Sequence, residues 1–268
     1  MKLAILATEN LDLSYDDIQI VKKLNLQIPT SKITAIIGSN GCGKSTTLKA
    51  LARILAPKNG TVYLDGKAIS KQSTKEIAKK MAILPQRPEA PSGITVFELI
   101  TYGRFPHQKG FGKLSDQDRK VIEWALNITE MTSFKNRPID ALSGGQRQRA
   151  WIAMALAQQT DLILLDEPTT YLDLAHQLEI LKLLENLNKQ EGRTIVMVLH
   201  DLNLAARFAD YIVAMRDGVI VREGKPETVI TSEVLKEVFQ IDAEIVKDPR
   251  NDTPVCLTYD LLKSLPSK

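Results

Sequence analysis

Gly38-Ser39-Asn40-Gly41-Cys42-Gly43-Lys44-Ser45 is the stretch whose reading decides the fold. It satisfies G-x-x-x-x-G-K-[ST], a phosphate-binding loop, and that pattern carries weight only between a strand and a helix. Both neighbours are there. Ile33-Thr34-Ala35-Ile36-Ile37 is apolar and β-branched and predicts a buried strand. Leu48, Leu51, Ala52 and Leu55 fall at i, i+3, i+4 and i+7 and predict one face of a helix. Glycines 38, 41 and 43 let the backbone fold back and aim N–H groups inward. Those donors, with the positive end of the following helix, make a site for a polyphosphate. Lys44 would reach the β- and γ-phosphates and the Ser45 hydroxyl would hold Mg²⁺.

Composition bounds the rest. The 268 residues leave room for one large domain or two modest ones. Lys and Arg number 35 against 32 Asp and Glu, and a net charge of +3 gives no argument for a nucleic-acid partner. Two cysteines, one of them inside the phosphate loop, predict reduced thiols in a cytosolic protein. No apolar run has the length of a membrane span. The opening Met1–Ala7 is too short for a signal peptide and is followed by Glu9, Asp12, Asp16 and Asp17, so it predicts a first strand.

Working outward, residues up to about Ile28 predict antiparallel strands with Tyr15 between them. Gly60–Leu64 predicts a strand entering an Asp65-Gly66 turn. Ala82–Leu84 predicts a short strand followed by Gln86, and from Arg87 to about Arg137 the pattern turns helical. There Ser115–Asp118 is a capping box, with an apolar stripe at Val121, Ile122, Ala125 and Leu126 behind it. Leu142-Ser143-Gly144-Gly145-Gln146 opens a further helix, with Ser143 and Gln146 at capping-box spacing. Two glycines in a first turn cost roughly 1 kcal/mol each relative to alanine. Something must approach that backbone closely, and an anion at the helix N-terminus is the natural guess.

Leu162–Leu165 predicts a buried strand ending in Asp166-Glu167, and Thr194–Leu199 another ending in His200. His107 falls in a loop and His176 near a helix start. In an open α/β sheet, ligands bind at strand carboxyl ends, so the phosphate loop, Asp166-Glu167 and His200 are expected at one edge. Asp166 would serve the magnesium shell and Glu167 would orient or deprotonate a water. Past a helix from about Ala175 to Gln190 come a hairpin over Tyr211–Val221, turning at Asp217-Gly218, and a single helix from Glu227 to Gln240.

These residues together resemble the ATP-binding subunit of an ABC transporter, along nearly the whole chain. Gly38–Ser45 is similar to the Walker A motif, Leu142–Gln146 to the signature LSGGQ, and Leu162–Glu167 to Walker B with its glutamate. Gln86 resembles the Q-loop glutamine, His200 the switch histidine and Tyr15 the adenine-stacking aromatic. The resemblance implies an α/β fold: a P-loop NTPase core with a mainly parallel sheet, an antiparallel β subdomain and an α-helical signature subdomain. Core and antiparallel strands are expected over 1–86 and 160–240, the helical subdomain over about 87–159, and a C-terminal extension over about 241–268.

It also implies ATP and Mg²⁺ as cofactors. Gly38, Ser39, Asn40, Gly41, Cys42, Gly43, Lys44, Ser45 and Thr46 would bind nucleotide with Tyr15, and Ser45, Gln86 and Asp166 the metal. Lys44, Gln86, Glu167 and His200 would carry hydrolysis. In the family two copies pair head to tail, so Ser143, Gly144, Gly145, Gln146 and Asp173 would face nucleotide held by the partner. The run Thr169-Thr170-Tyr171-Leu172-Asp173 departs from the serine and small residue that many members carry there, although the Asp is kept.

Asp166–Leu178, Tyr102–Gln108 and Asp252–Cys256 resemble the ferric-siderophore branch of the importers, which also serves haem and cobalamin. The expected partners are two transmembrane permease subunits and, indirectly, an extracellular substrate-binding lipoprotein, with the chain peripheral on the cytoplasmic side of the cell membrane. A soluble ABC ATPase acting on nucleic acid or ribosomes is the competing reading. One phosphate loop and the absence of any heptad run argue against it.

Overall fold

The alternation of apolar and polar residues at the start of the chain becomes a long antiparallel pair, the first part of the computed structural model, which describes residues 5–108 and 113–262. The strands are β1 (Leu6–Tyr15), β2 (Ile18–Ile28), β3 (Ile33–Gly38), β4 (Asn59–Leu64), β5 (Lys67–Ala68) and β6 (Met81–Leu84). They continue as β7 (Leu162–Asp166), β8 (Thr194–Val198), β9 (Tyr211–Arg216), β10 (Val219–Gly224), β11 (Ile241–Lys247) and β12 (Pro254–Leu261). The helices are α1 (Lys44–Leu51), α2 (Thr74–Ala78), α3 (Val96–Tyr102), α4 (Asp116–Ile128) and α5 (Gly144–Ala157). After them come α6 (Leu174–Glu191), α7 (Leu202–Phe208), α8 (Pro226–Val229) and α9 (Ser232–Phe239). The chain forms two units, one of residues up to Ser70 with those from Val196 onward, the other Lys71–Ile195; β8 passes from the second into the first.

In the first unit β2, β1, β4 and β5 lie side by side as an antiparallel sheet. Leu6, Leu11 and Leu13 are buried, and the register shift between Glu9 and Asp12 accommodates Asn10 at φ 46°. The Thr8 hydroxyl, buried, donates to the Leu24 carbonyl and accepts from the Leu26 N–H, both at 2.9 Å. All six residues of β3 are buried, and β3 pairs in parallel with β9, as an unbroken apolar run requires. The Asp217-Gly218 turn joins β9 to β10 with both residues at positive φ, as a tight two-residue hairpin demands.

Three expectations change here. Helix α1 stops at Leu51, and Arg53 at φ 59° turns the chain, so Leu55 lies beyond the helix. The single helix expected over Glu227–Gln240 is two: Ile230 (φ −88°, ψ 77°) ends α8, and the Thr231 hydroxyl caps α9 by accepting from the Val234 N–H. The tail, expected only as a C-terminal extension, forms the β11–β12 hairpin, packed on Leu235 through Ala243 and Cys256. Asn203 fixes Cys256 from both sides, donating to its carbonyl at 3.2 Å and accepting from its N–H at 2.8 Å. Of the expected first strand, residues 1–4 lie outside the described residues, as do 263–268 of the expected extension.

In the second unit β6 and β7 pair in parallel, from Met81 opposite Leu162 to Leu84 opposite Leu165. Helices α3, α4 and α5 pack together, with Val121, Ile122, Ala125 and Leu126 of α4 buried as the stripe predicts, and Trp151, Ile152, Ala155 and Leu156 of α5 also buried. Capping boxes start α2, α3, α4 and α5. The box on α4 does more than cap. Asp118 is buried and accepts from the Arg104 guanidinium at 2.8 Å, while Arg104 also donates to the Ala157 carbonyl at 2.6 Å. One buried ion pair thereby links the starts and ends of three helices.

Candidate active site

The phosphate loop lies in the first unit, between β3 and α1. Gly38 (φ 150°) cannot be replaced, because a Cβ there would meet the Met215 carbonyl oxygen of β9 at 2.2 Å and the Cys42 Sγ at 2.7 Å. Gly43 (φ 103°) caps α1 in the left-handed conformation with no side-chain cap, and the first turn of α1 contains no acidic residue. Lys44 is 5% exposed, and its ammonium donates to the Gly38 and Ser39 carbonyls, both at 2.9 Å. A buried ammonium at a helix N-terminus without a side-chain cap is the chemistry of an anion site.

Cys42 is also buried, and its carbonyl accepts from the Gly218 N–H at 3.1 Å, so the β9–β10 turn braces the loop. Burial pushes the Cys42 thiol up, against the pull of Lys44, which suits a packing residue rather than a nucleophile. Tyr15, 43% exposed, ends β1. His200 follows buried Leu199 and precedes Asp201, which caps α7.

The second unit gathers Gln86, Asp166 and Glu167 at the ends of β6 and β7. Asp166 closes β7 and is 4% exposed. Glu167 has φ 53°, and a non-glycine residue there, directly before Pro168, is strained by about 1–3 kcal/mol. Hydrogen bonds hold it: Gln86 donates to its carboxylate at 2.5 Å and the Thr170 hydroxyl at 2.9 Å. Thr170 also donates its backbone N–H to the Glu167 carbonyl at 3.2 Å. Thr170 belongs to the run that departs from the family pattern, and its contact with the carboxylate is not legible in the sequence.

The signature segment starts α5 as a capping box, Ser143 accepting from the Gln146 N–H and Gln146 from the Ser143 N–H. Its glycines differ. A Cβ on Gly144 would meet nothing within 4 Å, whereas one on Gly145 would lie 2.8 Å from His176 Cδ2 and 3.3 Å from Nε2. The close approach inferred from the sequence is therefore real at Gly145, and what approaches is a ring of the same chain. His176 is itself held, its Nδ1 hydrogen-bonded at 2.8 Å to the carboxylate of Asp173, the N-cap of α6. The backbone N–H of His176, then its ring, hold the Asp173 carboxyl below its ordinary value. The Asp-x-x-His spacing gives the capping contact away in sequence; nothing in it shows that the ring reaches Gly145.

The sequence profile of the ABC transporter family matches residues 21–170, more than half of the chain. The chain belongs to the ABC transporter family. Along nearly its whole length it is similar to the iron(3+)-hydroxamate import ATP-binding protein FhuC of Bacillus subtilis (strain 168), 65% identical over 97% of this chain and 96% of that protein. It is also similar to the ferric enterobactin transport ATP-binding protein FepC of Escherichia coli (strain K12), 43% identical over 99% and 97%. Among solved structures, the ABC transporter cassette MJ0796 overlays with a TM-score of 0.73 at 33% identity, over 82% of this chain and 98% of that one. MJ0796 has been solved as a dimer and in a post-hydrolysis state bound to ADP and Pi. This ABC chain is thus an ATP-binding subunit with the α/β fold of the family's ATPase cassettes, and its activity is ATP hydrolysis coupled to transport. Among the described residues no helix is long and apolar enough to cross a membrane.

Proposed function

We propose that this chain powers the import of iron(III)–siderophore complexes, working as a peripheral subunit on the cytoplasmic side of the membrane with two permease subunits and, indirectly, a binding lipoprotein. The observation that carries this reading is the 65% identity, end to end, with an iron(3+)-hydroxamate import subunit. The cargo is assigned by likeness, because a subunit of this kind meets nucleotide and permease rather than cargo.

In this reading Gly38–Thr46 cradles the triphosphate, Tyr15 stacks on the base, and the Lys44 ammonium exchanges its carbonyl partners for phosphate oxygens. The Ser45 hydroxyl, the Asp166 carboxylate and the Gln86 amide, each a hard oxygen donor of the kind magnesium takes, would hold the metal. Among the described residues no three or more of His, Cys, Asp and Glu converge on a metal site, so such an ion would rely on phosphate oxygens as well. When bound it neutralises charge on the β- and γ-phosphates. Glu167 holds and deprotonates the attacking water, Gln86 and Thr170 fixing its carboxylate, and His200 contacts the γ-phosphate. The copy opposite contributes Ser143 and Gly145, and ATP holds the pair closed until hydrolysis releases it.

The test is uptake of radiolabelled iron by a strain lacking this chain, one siderophore at a time. Restoration by the wild type, and none by Glu167→Gln, is expected; Glu167→Gln should keep ATP binding while losing about 100-fold in kcat. Uptake unchanged in the deletion strain for every ferric siderophore offered would refute the assigned cargo.

A further inference from the structure

We propose that His176 is a positioning residue for the signature helix: its ring, pinned by Asp173, fills the space that Gly145 leaves and sets the angle at which the α5 N-terminus is presented. The proposal rests on the shared-site reading above.

Three observations support it. Gly145 is buried and Gly144 exposed, so the two glycines of one motif face different surroundings. A Cβ on Gly145 would approach the imidazole to 2.8 Å, closer than real Cβ contacts come, while at Gly144 the space is open. The ring cannot simply rotate away, because its Nδ1 is committed to Asp173 at 2.8 Å and its backbone N–H to the same carboxylate at 2.9 Å.

A second tie lies one turn further along both helices. Arg149 of α5 donates to Glu179 of α6 and, at 2.6 Å, to Glu130 after α4. Positions 145 and 149 are four apart on α5, and 176 and 179 are three apart on α6, so each pair shares a helix face. Two contacts on adjacent turns fix rotation as well as distance. The segment Glu167–His176, which begins at the catalytic carboxylate, therefore ends in a side chain that seats the signature backbone. A movement at Glu167 has a covalent and hydrogen-bonded route to the element proposed to face the other copy's nucleotide.

The test is an epistasis experiment on purified full-length chain: ATPase kcat and KM, with nucleotide affinity by a fluorescent ATP analogue and folding by circular dichroism. Gly145→Ala should lose about 100-fold in kcat, a misplacement effect, with ATP affinity unchanged. His176→Ala should lose less, about tenfold, again in kcat. His176→Asn, which keeps a donor for Asp173, should recover part of that loss.

The double variant Gly145→Ala/His176→Ala, with the ring gone, should return to within about threefold of His176→Ala alone. If Gly145→Ala does not fold, the double variant should fold. A double variant no better than Gly145→Ala in activity and folding, or a fully active Gly145→Ala, would overturn the proposal. A wild type that neither hydrolyses ATP nor pairs would instead refute the reading beneath it.

Discussion

Two helices of this chain begin with glycines, and they begin in opposite ways. Helix α1 starts from Gly43 in a left-handed conformation, without a side-chain cap or an acidic residue, and with a buried lysine as its first residue. Helix α5 starts from Ser143 in an extended conformation, with a capping box answering the N–H groups of Ser143 and Gln146, and with one glycine open and the other under a ring. The first end is built to be completed by an anion. The second has part of its donor set capped within the chain, so it offers a neighbour a pre-oriented end. The same residue type serves phosphate capture in one place and close packing in the other.

The comparison breaks most easily at Lys44. Lys44→Ala removes the charge from the open helix end and should lower kcat/KM for ATP about 1000-fold, with affinity for a fluorescent ATP analogue lost as well. Retained binding would mean that the α1 end captures phosphate through its backbone alone.

A smaller effect, on stability, is expected at the far end of α5, where Arg104 and Asp118 hold α3, α4 and α5. Burial alone would push the Asp118 carboxyl up, but hydrogen bonds from Ser115 and the Arg104 guanidinium outweigh it and hold it below its ordinary value. A lowered folded-state pKa gives stability that is full above the ordinary carboxylate range and lost as pH falls through the lowered value. Asp118→Asn should cost about 3 kcal/mol at neutral pH by stranding a buried guanidinium. The difference between wild type and variant in urea denaturation should shrink as the pH is taken below 4. A constant difference would sever the link to this pair.

The smallest change sharpens the contrast. Ser143→Ala removes the cap and should cost about 1 kcal/mol in chemical denaturation of the nucleotide-free chain, with α5 otherwise intact. An alanine scan of α1 should find no equivalent side-chain cap to remove.

Much of this was legible in sequence, because local rules carry it. The strand, loop and helix around Lys44 follow from an apolar run, glycines at fixed offsets and a repeating stripe. The boxes at Ser115 and Ser143 follow from three-residue spacing. What was missed depends on distance in sequence. The Arg104–Asp118 pair sits between two helices, and His176 meets Gly145 across 31 positions that no local pattern spans. One difference is local and readable: Thr231, three residues before Val234, is a capping signal inside the stretch whose pattern predicts one helix. The β11–β12 hairpin stayed hidden because its register shifts between Glu244 and Ile245, which spoils the alternation that announces a strand.

The central claim is that the open end of one copy and the closed end of another enclose one ATP. It can be tested by mixing two inactive chains. Lys44→Ala lacks a working phosphate loop but keeps its signature; Ser143→Arg lacks the signature but keeps its loop. Mixed head-to-tail pairs contain one site with both halves intact, so ATPase activity should return on mixing, up to about a quarter of the wild-type rate for random pairing. No activity above the two separate chains, at concentrations where the wild type pairs and hydrolyses, would contradict it.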